Sequence, residues 1–328
     1  MQEKHSGNQN HVENPERIKS ILEYLQSQNK IYRYIDYLEI NDKQINDNKQ
    51  SSLFSNQIHN CYYCTFEYSI SEKYCPVCGI IKDKHKLYKF VSETQGDSTY
   101  KTEFTDLVIK RIKLMIVKGI NFIINPSNNI REIFIASRPP GHHSCGYEAK
   151  TNPRGFCHTN FISYAANEIT KTYGKTVAIF DFDAHHGDGT EQCLRTMQNP
   201  MIKGFVSMHI WGDNIYPFSG EHSYLDCITP ILNIPIHKSI KCDDDYYINL
   251  LETKTKKFLL DINPDILLIS AGFDAHNDDI LKLMNISEKS YKHIGNMLRS
   301  INKPILYILE GGYNPDILAK SVCSLLDK

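Results

Sequence analysis

The chain has 328 residues, and 37 lysines and arginines against 38 aspartates and glutamates leave a formal net charge of -1. That balance excludes a surface that is one broad nucleic-acid-binding field, although a local basic patch survives it. Apolar residues at 41% and charged residues at 23% fit a soluble globular chain rather than a disordered one.

No apolar stretch approaches the ~18 uninterrupted residues of a membrane span. The longest, 112–124, is broken by Lys113, Lys118 and Asn121. The polar opening MQEKHSGNQNHVENPE is no secretory signal. The sequence therefore predicts a nuclear or cytoplasmic protein with no membrane contact.

In chain order, a first helix is expected after Asn14, which suits a cap. Pro15 suits the first helical position, and Ile18, Ile21, Leu22 and Leu25 make one apolar face. Residues 39–60 turn polar around NDKQINDNKQSS and read as a linker or surface insertion. After GDST, a long helix is expected over 105–124. From residue 131 short apolar strands alternate with helical stretches. Strands are expected at 132–136, 176–180, 205–208, 266–270 and 305–309, and helices at 161–173, 246–260 and 287–300. Continuous apolar strands separated by helices imply a mainly parallel sheet covered on both faces. The expected fold class is α/β, in three layers.

Four of these strands run into loops rich in chemistry. IFIA leads to SRPPGHHSCG, VAIF to DFDAHHGDGT, ILLIS to AGFDAH and ILYIL to EGGY. In open α/β sheets ligands bind beyond the carboxyl ends of the strands. The segment DFDAHHGDGT crowds Asp181, Asp183, His185, His186 and Asp188 together. So many ionisable groups at a buried strand end are costly unless something pairs them. A solvated acidic turn is the bland reading; a zinc site explains the residue types better.

Asp183 and His185 supply two ligands, and Asp274 of AGFDAH is the candidate third. Three protein ligands leave a coordination position open, as a catalytic site requires. A His pair on a loop is, taken alone, more often structural. Beside an activated water, however, His142 and His143 can serve as general base and acid. Asp181 and Asp188 remain to fix their tautomers. Tyr313 follows two glycines and can donate to a developing oxyanion.

Ten cysteines divide into two groups. Cys61, Cys64, Cys75 and Cys78 form Cys-x2-Cys-x10-Cys-x2-Cys, two chelating pairs with the spacing of a structural zinc site. A redox reading would need only one pair. The other six are scattered singly and read as reduced thiols. Lys82, Lys84, Lys86 and Lys89, interleaved with Tyr88 and Phe90, come after the cluster. They form a solvated charge run or a docking face for protein or nucleic acid.

The motifs RPPGHHSCGY, GFCHTN, VAIFDFDAHHGDGTE, VSMHIWGDNIYPFSG, LLISAGFDAH and ILEGGYNPDILAKSV resemble the zinc-dependent histone deacetylase family. They look closest to its class II and acetylpolyamine-hydrolase-like branch, within the arginase–deacetylase fold. HVENPERIKSIL resembles that branch's first helix. The likeness covers about residues 1–35 and 95–328, with the motifs in the same order.

The resemblance implies that Asp183, His185 and Asp274 bind a catalytic zinc. It gives His142, His143, Asp181, Asp188 and Tyr313 catalytic roles, with His143 as the usual general base. It implies a monovalent-cation site, of the kind that takes K+, built from Asp181, Asp183, His185, Ser207 and Met208. Gly155, Phe156 and Tyr216 correspond to the walls of an acyl-lysine tunnel, and Asp97 is the candidate for holding the substrate backbone. IYPFSG stands where FYPGTG is usual, GFCHTNF lacks the common second Asn, and Ile280 replaces a usual Pro.

The cysteine cluster looks like a rubredoxin-type zinc ribbon, with metal supplying its folding energy. The implied division is a deacetylase domain over 1–40 and 91–328, with an inserted module at 55–90.

The implied activity is hydrolysis of N-ε-acetyl-lysine on histones or other proteins, with a role in chromatin regulation. Acetylpolyamine hydrolysis is the alternative with the same chemistry. Leu281 stands where polyamine-selective relatives carry Glu, which favours acyl-lysine, whereas Asp278 and Asp279 keep polyamines open. An arginase-type ureohydrolase would need a second metal held by an Asp at the position of Gly187. A retired deacetylase core acting as a binding module is the reading from another class; the intact set of ligands, histidines and Tyr313 argues against it.

Overall fold

The computed structural model describes residues 12–14, 16–28, 58–60, 67–69, 90–93, 99–102, 105–148 and 152–328. Cys61, Cys64, Cys75, Cys78, Asp97 and the basic run 82–89 lie outside the described residues. Two short antiparallel pairs precede the main sheet: β1 (Ile58–Asn60) with β2 (Glu67–Ser69), and β3 (Phe90–Glu93) with β4 (Tyr100–Thr102).

The main sheet has six strands: β5 (Glu132–Ile135), β6 (Val177–Asp181), β7 (Ile202–Trp211), β8 (Ile231–His237), β9 (Ile266–Ala271) and β10 (Ile305–Leu309). Their order is β5-β10-β9-β6-β7-β8, and every pairing is parallel. From β6 the chain steps outward through β7 to β8, then returns to place β9 on the other side of β6. The strand order thus reverses between β6 and β9. A crevice opens at such a reversal beyond the strand ends, and this is where the Asp181 and Asp274 loops emerge.

Helices cover both faces. On one lie α2 (Thr105–Ile124), α3 (Phe161–Tyr173) and α4 (Asp188–Met197). On the other lie α1 (Glu16–Ser27), α5 (Asp244–Leu250), α6 (Lys256–Ile262), α7 (Glu288–Ser300) and α8 (Pro315–Leu326). Successive strand residues point to opposite faces. Val177 and Ile179 of β6 pack with Ile116 and Ile120 of α2, while Ala178 and Phe180 join the cluster containing Ile21, Leu298 and Val322. With an apolar layer on each side, β6, β9 and β10 are buried at every position. This is why they read as unbroken apolar runs.

Helix boundaries obey local chemistry. Asn160 caps α3 by accepting the Ser163 amide, and Gly174 closes it at φ 60°. Three elements go unannounced in the sequence and one expectation needs correction. The sequence pattern does not announce β8, because Pro235 interrupts it; the structure puts it at the sheet edge, where a missing amide is tolerated. Nor does it announce α4 and α8, since α4 begins inside the polar DAHHGDG loop. The single helix expected at 246–260 is α5, a π turn (Leu251–Thr255) and α6 in succession.

Candidate active site

The carboxyl ends of β6 and β9 bring Asp183, His185 and Asp274 together. One potential ligand atom from each lies within 4.8 Å of the others. His185 Nδ1 is 3.1 Å from Asp183 Oδ1 and 2.9 Å from Asp274 Oδ2, so both carboxylates converge on one nitrogen. Asp274 Oδ2 is buried and accepts no aligned hydrogen bond. The opposite carboxylate oxygens are anchored by the backbone: Gly311 N donates to Asp183 Oδ2 at 2.8 Å and Ala184 N to Asp274 Oδ1 at 2.9 Å.

The electrostatics point the same way. Burial penalises charge on His185, but Asp274 and Asp183 outweigh it and raise its pKa to about 10. Burial and then the Asp183 charge raise Asp274 to about 6. The centre therefore favours a cation among its three donors. An Asp-His-Asp set whose two carboxylates crowd one imidazole nitrogen at a buried point fits zinc. It is the one such cluster of three or more metal-ligating side chains among the described residues.

The tandem histidines leave the end of β5 and meet this centre from the side. His142 Nδ1 lies 3.0 Å from Asp181 Oδ2, and His143 Nδ1 lies 2.7 Å from Asp188 Oδ1. Their ring centroids are 4.0 Å apart. Burial opposes charge on His142, yet the Asp183, Asp181 and Glu310 carboxylates prevail and raise its pKa well above the usual value. Burial, then the neighbouring His142 charge, lowers His143 to about 3, so this imidazole is neutral. Its Nδ1–H donates to Asp188, which leaves Nε2 as an acceptor. A bound dication would draw His142 too towards its neutral form. Arg154 pairs with the other Asp188 oxygen and donates to His143 O at 3.0 Å, which steadies the Asp188–His143 pair.

Tyr313 follows β10 and is 5% exposed. Its ring meets Phe156 edge to face at 6.1 Å, and the Arg17 guanidinium lies 5.1 Å from its centroid. Burial, then the Asp274 and Asp183 charges, push the phenol pKa well above its ordinary value, so the hydroxyl stays protonated and able to donate.

Tyr216 stands edge-on to His143 at 4.9 Å and near His185 at 6.2 Å. Gly155 approaches both: a side chain there would strike the His143 ring and the Tyr216 hydroxyl, and its φ of 55° is itself unfavourable to other residues. Gly155 and Tyr216 thus adjoin His143, Phe156 adjoins Tyr313, and Phe218 stands 73% exposed beside Tyr216.

The remaining expectations divide. Asp181 and Ser207 face each other across β6 and β7, with Met208 next in line. Asp181 Oδ1 accepts the Asp183 amide, and Ser207 Oγ is bonded to His209 Nδ1. Gly187 leaves no space for an Asp, because even a Cβ would collide with Asp181 Oδ2. Asp279 is buried and committed to backbone amides, so it is not a free carboxylate for an ammonium; Asp278 is exposed, and Leu281 is half-buried.

Two residues carry weight here that the sequence pattern does not reveal. Glu310 is fully buried and accepts Gly141 N at 2.6 Å and His142 N at 3.1 Å, tying the histidine loop to the Tyr313 loop. Burial raises its carboxyl pKa to about 7. Arg17 is fully buried and grips Gly312 O at 2.5 Å and also Glu310 O. A signal for Arg17 exists in the sequence: a cation on the apolar face of α1, one turn before Ile21. For Glu310 it is an acid ending an apolar strand.

Comparison with known proteins gives a consistent picture. Residues 11–328 match the family model described as "Histone deacetylase domain". An uncharacterized protein of Synechocystis is 34% identical over 63% of this chain and 64% of its own length. Histone deacetylase 6 of Caenorhabditis elegans is 27% identical over 97% of this chain, which spans only 32% of that protein. The solved HDA15 HD domain superposes with a TM-score of 0.63 at 28% identity, covering 72% of this chain and 67% of that one.

Proposed function

The chain belongs to the histone deacetylase domain family, a family of zinc-dependent amidohydrolases, and on that premise we propose that it removes acetyl groups from N-ε-acetyl-lysine side chains. The observation that carries the reading is the convergence of Asp183, His185 and Asp274 beside two histidines, each with its own carboxylate. When bound, zinc would supply Lewis-acid polarisation of the acetyl carbonyl and acidify the attacking water.

The side chains do the rest. His143, neutral and oriented by Asp188, takes a proton on Nε2. His142, hydrogen-bonded to Asp181, supports that pair, and a protonated histidine returns a proton to the departing amine. The Tyr313 hydroxyl donates to the oxygen on which negative charge develops. Phe156, Tyr216 and Gly155 would line the passage for the lysine methylenes. Asp181, Ser207 and Met208, with Asp183 and His185, would hold a monovalent cation under the centre.

Acyl-lysine is favoured over acetylpolyamine because Leu281 offers no charge and Asp279 is occupied by amides. Exposed Asp278 is the one feature on that loop that suits a polyamine. The Cys61, Cys64, Cys75 and Cys78 cluster would form a zinc-stabilised module at 55–90, inserted in a domain spanning 1–40 and 91–328, for contact with protein or nucleic acid. Histones would make the site of action nuclear, other acetylated proteins cytoplasmic. No helix among the described residues is long and apolar enough to cross a membrane.

The test is a panel of acetyl-lysine peptides, longer acyl-lysines and acetylpolyamines, each with and without a chelator. Chelator-sensitive turnover of acetyl-lysine peptides is expected. Turnover of acetylpolyamines alone would overturn the substrate assignment.

A further inference from the structure

A carboxylate outside the metal cluster holds the backbone of the Tyr313 segment. Asp279 lies between β9 and α7 and is 1% exposed. Its Oδ2 accepts Tyr313 N at 2.7 Å and Asn314 N at 3.2 Å, and its Oδ1 accepts Leu281 N at 2.9 Å. Asn314 Nδ2 returns a bond to Asp278 O at 2.9 Å.

Asn314 N belongs to the N-cap of α8 and Tyr313 N comes just before it, and Asn314 makes no side-chain cap of its own. A helix start leaves amides unsatisfied and favours negative charge. Asp279 meets both needs from a different loop. The consequence for Tyr313 is geometric. The peptide before Tyr313 is held by Arg17 at Gly312 O and by Asp279 at Tyr313 N, and Asp279 also holds the next amide, Asn314 N. Between those restraints the phenol has its backbone origin fixed.

We propose that Asp279 is a positioning residue for Tyr313, setting the backbone from which the hydroxyl reaches the reacting carbonyl oxygen. The proposal rests on the donor role assigned to Tyr313 above. It predicts that Asp279 influences turnover through Tyr313 and through no other group. A displacement of about 1 Å at a reacting geometry costs ~10²-fold, so the effect is large enough to measure.

The experiment is a double-mutant cycle on the zinc-loaded chain. Asp279→Ala should lower kcat about 10- to 100-fold with KM changed less than about 3-fold. Asp279→Asn keeps one amide acceptor and should lose about 3- to 10-fold, a partial rescue. In a Tyr313→Phe background either change should cost less than about 2-fold, because the hydroxyl it positions is gone. Zinc content should stay at the wild-type value throughout.

Equal losses in the two backgrounds would overturn the proposal and leave Asp279 a structural staple. If Ala at 279 does not fold, the Asn variant carries the same cycle. Undiminished turnover in Tyr313→Phe alone would instead overturn the donor role itself, a separate failure visible in the first arm of the cycle.

Discussion

Replacing Arg17 by Met would remove a cation that the fold has sealed between its first helix and its catalytic loops. The side chain is 0% exposed. Its guanidinium donates to Gly312 O at 2.5 Å, to Glu310 O, and to Glu13 Oε1 at 3.2 Å. Removing one partner of a buried ionic network costs ~3–5 kcal/mol, because the rest stays desolvated. Glu13 would keep Arg138, which binds it through 2.9 and 2.6 Å contacts, and this pulls the cost towards the lower end. Two buried carbonyls would still lose a charged donor, at about 1.5–3 kcal/mol for such a bond. Met restores packing of the stem. Counted as those two lost charged bonds, the loss is about 3–6 kcal/mol, a large share of the ~5–15 kcal/mol that holds a typical domain.

In thermal unfolding followed by circular dichroism, Tm should fall by roughly 10 °C. Arg138→Met is the internal comparison. That side chain is 18% exposed and its loss leaves Glu13 on Arg17, so about 1–2 kcal/mol is expected. Turnover should fall in the Arg17 variant as well, because Glu310 and Gly312 flank the Gly311 amide that anchors Asp183. A Tm within about 2 °C of wild type, or a larger loss from Arg138→Met, would refute the reasoning.

Tyr313→Phe keeps the ring against Phe156 and loses one donor; kcat on an acetyl-lysine peptide should fall ~10²–10³-fold with KM and zinc content little changed. Asp183→Ala should abolish both catalytic metal and activity, as read by metal analysis and turnover. Wild-type chain should carry about two zinc ions on its ligand count, and Cys75→Ser about one, with the catalytic core still folded. Asp244 supplies a pH-dependent contribution to stability. Burial opposes its charge, but hydrogen bonds from the Ser290 and Ser287 hydroxyls and the Ser287 amide hold its pKa below the ordinary value. Its stabilisation is present above pH ~4 and lost as pH falls through the depressed folded value. Asp244→Asn should therefore lower chemical stability at pH 7, and the difference from wild type should close as the pH drops well below 4.

The zinc-type donors are legible in the sequence because each sits just beyond an unbroken apolar strand. Val177–Asp181 and Ile266–Ala271 announce buried parallel strands, and a parallel sheet delivers the loops at their carboxyl ends to one edge. The pattern therefore places Asp183, His185 and Asp274 at strand ends on one sheet edge, and the adjacency of β6 and β9 in the sheet makes their loops neighbours. The partners of the tandem histidines are legible for a similar reason: two carboxylates remain once the ligands are assigned. Periodicity also marks the helices Thr105–Ile124 and Phe161–Tyr173 to the residue. Where it is broken, by Pro235 in the edge strand or by the polar start of α4, the element is hidden.

The sequence by itself determined the fold class, the strands that carry chemistry and the residue types at their ends, all of which are properties of local pattern. Only the tertiary structure decided the couplings between distant segments. Nothing near Arg17 in the chain points to Gly312, nothing near Glu310 points to the His142 amide, and Asp279 reads as a free acid until its oxygens are seen on Tyr313 and Asn314. The physical reason is that a polar side chain is chosen by the unsatisfied group it meets after burial. That meeting is set by sheet order and helix packing, and sequence separations of 295, 168 and 34 residues lie between the partners.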